Sequence, residues 1–290
     1  MCDEFTAADN EQFLASAHPS RRNFGMMAGM VGLIAMLPIP ANAAAIRGKD
    51  VLIDTPEGKA DGYFVAPATG KHPGVLMWPD IMGLRPAFRQ MADRLAQSGY
   101  AVLVVNQFYR STKAPIIAPG EGFDNPDVRA RIMPYTQQLS AAGTVSDAKA
   151  FTAFLDAQKQ VDRKKGLASA GYCMGGPMVF RTAAAVPGRV KAGASFHGAG
   201  LVGDKPDSPN ALIPQMKASY LIAIAANDDA KAPTDKDKLK AAFAEARLPA
   251  EIEVYEGTLH GWCPPDSKVY NAVQAEKAWA RMLALFGKAL

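Results

Sequence analysis

A cysteine flanked by glycines is the most chemically pointed arrangement in the chain. Residues 167–179 read Leu-Ala-Ser-Ala-Gly171-Tyr-Cys173-Met-Gly175-Gly-Pro-Met-Val, a small-residue apolar run that ends in Gly-x-Cys-x-Gly and leads into a helical segment, 177–185. That spacing belongs to a nucleophile on a sharp strand-to-helix turn, with a thiol where the commoner pattern has a hydroxyl. Side chains at 171 and 175 would crowd such a turn. The sulfur then stands above a sheet, and the first N–H groups of the helix point at whatever it attacks. Two further groups follow in chain order. Asp228, with Asp229 as the alternative, comes after the apolar run ending at Ile224, and His260 comes after the run ending at Tyr255. A thiol of pKa ~8.5 is mostly protonated at neutral pH. His260 must therefore take its proton, while the acid holds the imidazole in the right tautomer. Each piece alone has a bland reading: a packed cysteine, a solvated acidic pair, a packed histidine. Their order and their post-strand placement favour catalysis. His197, in Ser-Phe-His-Gly after another strand, is expected to line the same pocket; His72 reads as surface.

The elements that must position these groups alternate. Short apolar or alternating runs at 51–55, 62–66, 74–78, 101–105, 167–172, 191–196, 219–224 and 251–255 read as strands. Helical periodicity is expected at 87–97, at 145–158 with Thr144 or Ser146 as cap, at 236–246 and at 269–290. The stretch 108–139 is rich in Pro and Gly and reads as an excursion from the sheet that shapes the pocket mouth. Strands alternating with helices predict an α/β fold with a mainly parallel sheet covered on both faces. No break in composition divides residues 46–290, which read as one domain.

The 290 residues are 49% hydrophobic and 21% charged, and the formal net charge is +4. Basic residues are dispersed, which argues against a nucleic-acid partner. Three cysteines, Cys2, Cys173 and Cys263, make neither a disulfide framework nor a metal-ligand spacing. The first 45 residues read as an export signal rather than fold. A polar, patternless segment (1–19) precedes Ser20-Arg-Arg-Asn-Phe-Gly25, a modestly apolar run, 26–39, and Pro40-Ala-Asn-Ala-Ala-Ala45. Paired arginines, an apolar stretch too short to span a membrane and an Ala-x-Ala site predict a cleavable signal of twin-arginine type. Cleavage near Ala43–Ala45 would deliver a periplasmic protein with no stable membrane anchor, His18 leaving with the signal. Residues 1–43 carry two arginines against four acidic residues, so the net charge would rise from +4 to +6.

From about Asp50 to Leu290 the sequence resembles the dienelactone hydrolase family. The residues that carry the resemblance are Gly171-Tyr-Cys-Met-Gly-Gly176, Ala225-Ala-Asn-Asp228, Leu259-His-Gly261 and Trp78-Pro-Asp-Ile-Met-Gly83. The resemblance implies an α/β-hydrolase fold of about eight strands and a Cys173-His260-Asp228 triad without metal or organic cofactor. It further implies that Asp80 holds the resting thiol, that the Ile81 and Met174 N–H groups form the oxyanion hole, and that Arg110 binds a substrate carboxylate. Two departures stand out. The family acid at position 80 is usually Glu, one methylene longer, and a second arginine expected shortly after the histidine is missing from Gly261-Trp-Cys-Pro-Pro-Asp266. With one arginine and Trp262 in the pocket, the expected substrate is a more apolar lactone or small ester. A competing reading is a binding or redox-sensing protein on the same fold, in which Cys263 pairs with Cys173; packing of Cys263 as an apolar residue is favoured. A cysteine-dependent peptidase or acyltransferase is a weaker third reading.

Overall fold

The computed structural model describes residues 6–16 and 36–290. Eight strands form one sheet: β1 (Ile46–Thr55), β2 (Gly58–Pro67), β3 (Gly74–Trp78), β4 (Ala101–Val105), β5 (Leu167–Tyr172), β6 (Val190–Phe196), β7 (Ser219–Ala225) and β8 (Ala250–Tyr255). Their order is β1-β2-β4-β3-β5-β6-β7-β8. The first two strands form a hairpin and β2 pairs antiparallel with β4; every other pairing is parallel. The helices are α1 (Thr6–Ser16), α2 (Pro86–Gln97), α3 (Pro126–Thr136), α4 (Ala141–Ala157), α5 (Gly175–Ala185), α6 (Pro209–Leu212), α7 (Ala226–Lys231), α8 (Asp235–Glu245) and α9 (Ala272–Ala289).

The central strands are apolar throughout because both faces are covered. On β3 and β4, Val75, Met77, Val102 and Val104 join the core beneath α2 and α9. Their neighbours Leu76, Trp78, Leu103 and Val105 join the opposite core with residues of α4, α5 and α8. A strand buried on both sides loses the polar alternation of a half-exposed one. The parallel strands point their carboxyl ends to one edge, where Trp78, Val105, Tyr172, Phe196, Ala225 and Tyr255 hand over to the loops that carry the candidate groups.

Several expectations need correction. The 108–139 excursion contains α3, capped by the Asn125 side chain, which accepts from the Asp127 N–H. The helix expected at 145–158 starts four residues earlier, because Ser140 rather than Thr144 or Ser146 accepts the first-turn N–H, that of Gly143 at 2.9 Å. Asp228 sits on a short helix, not in a loop. The segment before the paired arginines is not patternless: residues 6–16 form α1, which lies against α7. Polar pairing rather than an apolar stripe holds it there, with Lys231 Nζ 2.5 Å from the Asp9 carboxylate and Asn227 Nδ2 donating to Asn10 Oδ1 at 2.6 Å. Cys2, His18 and the paired arginines Arg21 and Arg22 lie outside the described residues. Among the described residues no helix is long and apolar enough to cross a membrane.

Candidate active site

Cys173 stands between β5 and α5 with φ +54°. A left-handed backbone at a non-glycine residue is costly and persists only where its surroundings over-determine it. Here the surroundings are backbone. A Cβ on Gly171 would lie 2.2 Å from the Gly175 carbonyl oxygen, and one on Gly175 would lie 2.4 Å from that of Trp78. The Cys173 N–H donates to the Phe196 carbonyl at 3.0 Å and the Cys173 carbonyl accepts from the Gly176 and Ala199 N–H groups, which locks the elbow to the end of β6. The Cys173 sulfur is in a disulfide. Cys263 is free and buried in the core beneath α9, with burial pushing its thiol pKa well above the usual range, so the Cys173–Cys263 pairing of the redox reading is not formed.

His260, 7% exposed, pairs its Nδ1 with Asp228 Oδ2 at 2.8 Å. Its backbone is fixed as well, since its N–H donates to Asn227 Oδ1 at 2.8 Å. Two consecutive residues of α7 thus orient the histidine, one through its ring and one through its backbone. Asn10 of α1 adds a long contact to the His260 carbonyl at 3.4 Å. Asp229 points elsewhere, with both carboxylate oxygens on Lys236 Nζ at 2.7 and 2.8 Å. Between the two acids the geometry therefore selects Asp228.

The structure places the remaining candidates differently from expectation. Asp80 is not available to a thiol: its carboxylate accepts from Arg85 at 2.6 and 2.9 Å and from the Met82 N–H at 2.9 Å. The short Asp arm is satisfied within its own loop. Arg110 donates to both Asp147 oxygens and both Glu57 oxygens at 2.7–2.9 Å, which leaves it committed rather than presented to a ligand. Burial works against the Arg110 charge, but those carboxylates more than offset it and raise the guanidinium pKa. Trp262 is fully buried and stacks on Tyr255 at 4.8 Å, because Gly261, at φ +98°, turns the chain inward. It packs in the core and does not line a pocket. His197 is fully buried too, at φ +39°, with its ring centroid 5.2 Å from that of His260 at 70°. It packs edge-on against the His260 ring rather than forming an open wall. Burial, then the neighbouring His260, lowers its pKa well below the ordinary imidazole value. Neither of its ring nitrogens has a hydrogen-bond partner among the described residues.

Cys173 shares a buried cluster with Ile81, Phe108, Ile116, Val128 and Ile132, four of them from the 108–139 excursion. Arg85 and Gln107 were given no role from the sequence; Asn227 stands in the Ala225–Asp228 motif without a role of its own, and Asp266 ends the segment from which the second arginine is missing. The Asp266 carboxylate is what Arg85 binds at 2.6 and 2.9 Å.

The strand order and the eight-strand, mostly parallel sheet agree with the comparisons to known proteins. The pattern of the dienelactone hydrolase family matches residues 60–290. The chain belongs to the dienelactone hydrolase family. It is 25% identical over 236 residues to the carboxymethylenebutenolidase of Pseudomonas putida, covering 80% of this chain and 93% of that one. A Synechocystis protein assigned as a carboxymethylenebutenolidase is 27% identical over 231 residues, 78% of this chain and 90% of the relative. Among solved structures, a Klebsiella pneumoniae protein assigned as a dienelactone hydrolase superposes with TM-score 0.72 at 26% identity, covering 84% of this chain and 99% of that one. This dienelactone hydrolase-family chain therefore has the α/β-hydrolase fold and is a carboxymethylenebutenolidase-like hydrolase.

Proposed function

We propose that the chain hydrolyses lactones or small carboxylic esters through an acyl-Cys173 intermediate. The observation that carries this reading is the elbow: a cysteine held at φ +54° at the N-terminus of α5, with His260 anchored to Asp228 on the neighbouring strand ends. In the reduced protein His260 takes the Cys173 proton and the thiolate attacks the substrate carbonyl carbon. The developing oxyanion accepts from the Ile81 and Met174 N–H groups, neither of which donates to a described residue. His260 returns the proton to the leaving alkoxide as the C–O bond breaks, which leaves a thioester. Water, deprotonated by His260, attacks the thioester and releases the acid and the thiol. Asp228 stabilises the imidazolium in both halves.

The apolar surroundings of the sulfur and the prior commitment of Arg110 and Arg85 to carboxylates favour an uncharged acyl group. Turnover of p-nitrophenyl acetate and of a dicarboxylate dienelactone by reduced wild type, Cys173→Ala and Cys173→Ser tests both parts. Loss of turnover in Cys173→Ala is expected, with the neutral ester preferred. Equal or better turnover of the dicarboxylate lactone would remove the substrate preference while leaving the nucleophile intact.

A second reading is a redox-sensing protein on the same fold, whose Cys173 sulfur answers to oxidants rather than to esters. A reduced, folded protein inert on both substrates would select it. Export also belongs here. The Ser-Arg-Arg segment and an exposed chain around Asn42 and Ala43 support twin-arginine export to the periplasm with cleavage near Ala43–Ala45. N-terminal sequencing of the periplasmic protein tests that, and a start at residue 1 would refute it.

A further inference from the structure

The oxyanion side of the site is built from one peptide unit, and its orientation is not set by the elbow. The Ile81 N–H belongs to the planar, trans peptide whose carbonyl is that of Asp80, so the two groups point in opposite directions. That carbonyl is gripped. Gln107, 1% exposed just beyond β4, donates from Nε2 to the Asp80 oxygen at 2.7 Å, and the Gly83 N–H donates to the same oxygen at 2.9 Å. The Asp80 side chain is gripped as well. Arg85, 2% exposed, spends all five N–H donors on the Asp80 carboxylate, the Gly83 carbonyl and the Asp266 carboxylate. Asp266 lies six residues after His260, so the guanidinium ties the loop of the oxyanion donor to the loop of the base.

We propose that Gln107 and Arg85 are positioning residues that hold the Asp80–Ile81 peptide with its N–H facing the substrate oxygen, and that Asp80 serves this clamp instead of gating the thiol. The inference rests on the acyl-Cys173 reading and deepens it. Gln107 turns the peptide plane from its carbonyl side, and Arg85 fixes the loop's distance from His260. A peptide free to rotate would keep the thiol and its base but lose a preorganised donor, and removal of such a donor costs roughly 10²–10³ in kcat.

The test separates the donor from the thiol. Gln107→Met and, independently, Arg85→Lys in the reduced full chain are compared with wild type in three measurements: p-nitrophenyl acetate kinetics, affinity for a trifluoromethyl ketone, and the rate of Cys173 alkylation by iodoacetamide. Ester hydrolysis and ketone addition both create an oxyanion; alkylation does not. The clamp predicts a kcat lower by about ten- to a hundred-fold in Gln107→Met with KM nearly unchanged, parallel loss of ketone affinity, and alkylation at the wild-type rate. Arg85→Lys, which keeps the charge but loses the fork, falls between. Unchanged kcat in both variants, or alkylation falling in step with kcat, would overturn the clamp. Wild type that alkylates yet turns over no ester and binds no ketone would instead sink the hydrolase reading itself.

Discussion

The two sides of Cys173 are held by different means. On the side of the proposed base, His260 is fixed by Asp228 and Asn227, adjacent residues at the start of one short helix, with the fully buried His197 ring edge-on to it. On the oxyanion side, the Asp80–Ile81 peptide is fixed by Gln107 from β4's end and by Arg85 and Asp266, a charge network closed across the site. The first arrangement uses neighbours in sequence, and the second uses residues from three separate loops. Under the proposed acyl-Cys173 reading, the difference teaches that a group held by chain neighbours can face one held only by contacts between loops. An arginine expected after the histidine is absent, and a guanidinium from the other loop meets an aspartate in its region instead.

Under the acyl-Cys173 proposal, loss of the Cys173 sulfur should have the largest effect, and it breaks both sides at once. Cys173→Ala is expected to abolish esterase turnover, and oxidised full-length wild type should be nearly inert until treated with a phosphine reductant. Initial rates before and after reduction check this; equal rates would mean that the sulfur is not the nucleophile. Next comes a contrast within the side of the proposed base. Asp228→Asn should lower kcat by about 10²–10⁴-fold, because the amide favours the wrong imidazole tautomer. Asp229→Asn, which releases only Lys236, should stay within about two-fold. Comparable losses in the two variants would dissolve the distinction drawn between them.

Smaller effects sharpen the comparison. Deleting residues 1–45 removes Asn10 and its contacts with Asn227 and the His260 carbonyl. The kcat of the reduced protein is expected to stay within about two-fold, since Asn227 and Asp228 still hold His260, and one hydrogen bond is worth only about 1 kcal/mol. A ten-fold loss would make α1 part of the side of the proposed base. The smallest effect is on stability. His197 is buried and its pKa is depressed, so the native state stays neutral while the unfolded chain takes up a proton below its ordinary pKa of ~6.5. Stability is therefore full above that value and falls as pH drops below it. His197→Asn, which tolerates the left-handed backbone, should flatten the slope of the urea midpoint against pH; an unchanged slope would assign the acid sensitivity to other groups.

Much of the fold was legible because strand burial imposes composition. Val75 to Trp78, Ala101 to Val105 and Leu167 to Tyr172 are apolar on both faces, and each observed strand differs from its expected span by a few residues at most, apart from the longer opening hairpin. Helix α3 was not legible, since Pro134 inside it and the surrounding Pro and Gly mimic a loop. Helix α1 was missed because polar pairs with Lys231 and Asn227, two hundred residues away, hold it. Trp262 and Arg110 were misread for a related reason. Residue type suggests a pocket, but Gly261 turns the indole inward, and Glu57 with Asp147 claims the guanidinium.

What the sequence determined by itself was the arrangement that is local: glycines two residues either side of Cys173, an acid and a histidine each just after an apolar run, and hence the elbow and the order of the groups. These are legible because steric room at a turn and burial of a strand are decided by residues adjacent in the chain. What only the tertiary structure decided was which charges are still available. Asp228 was chosen over Asp229, Asp80 was taken by Arg85, and Arg110 was taken by Asp147. A buried charge is stable only beside its partner, and the partner is set by how distant loops meet above the sheet.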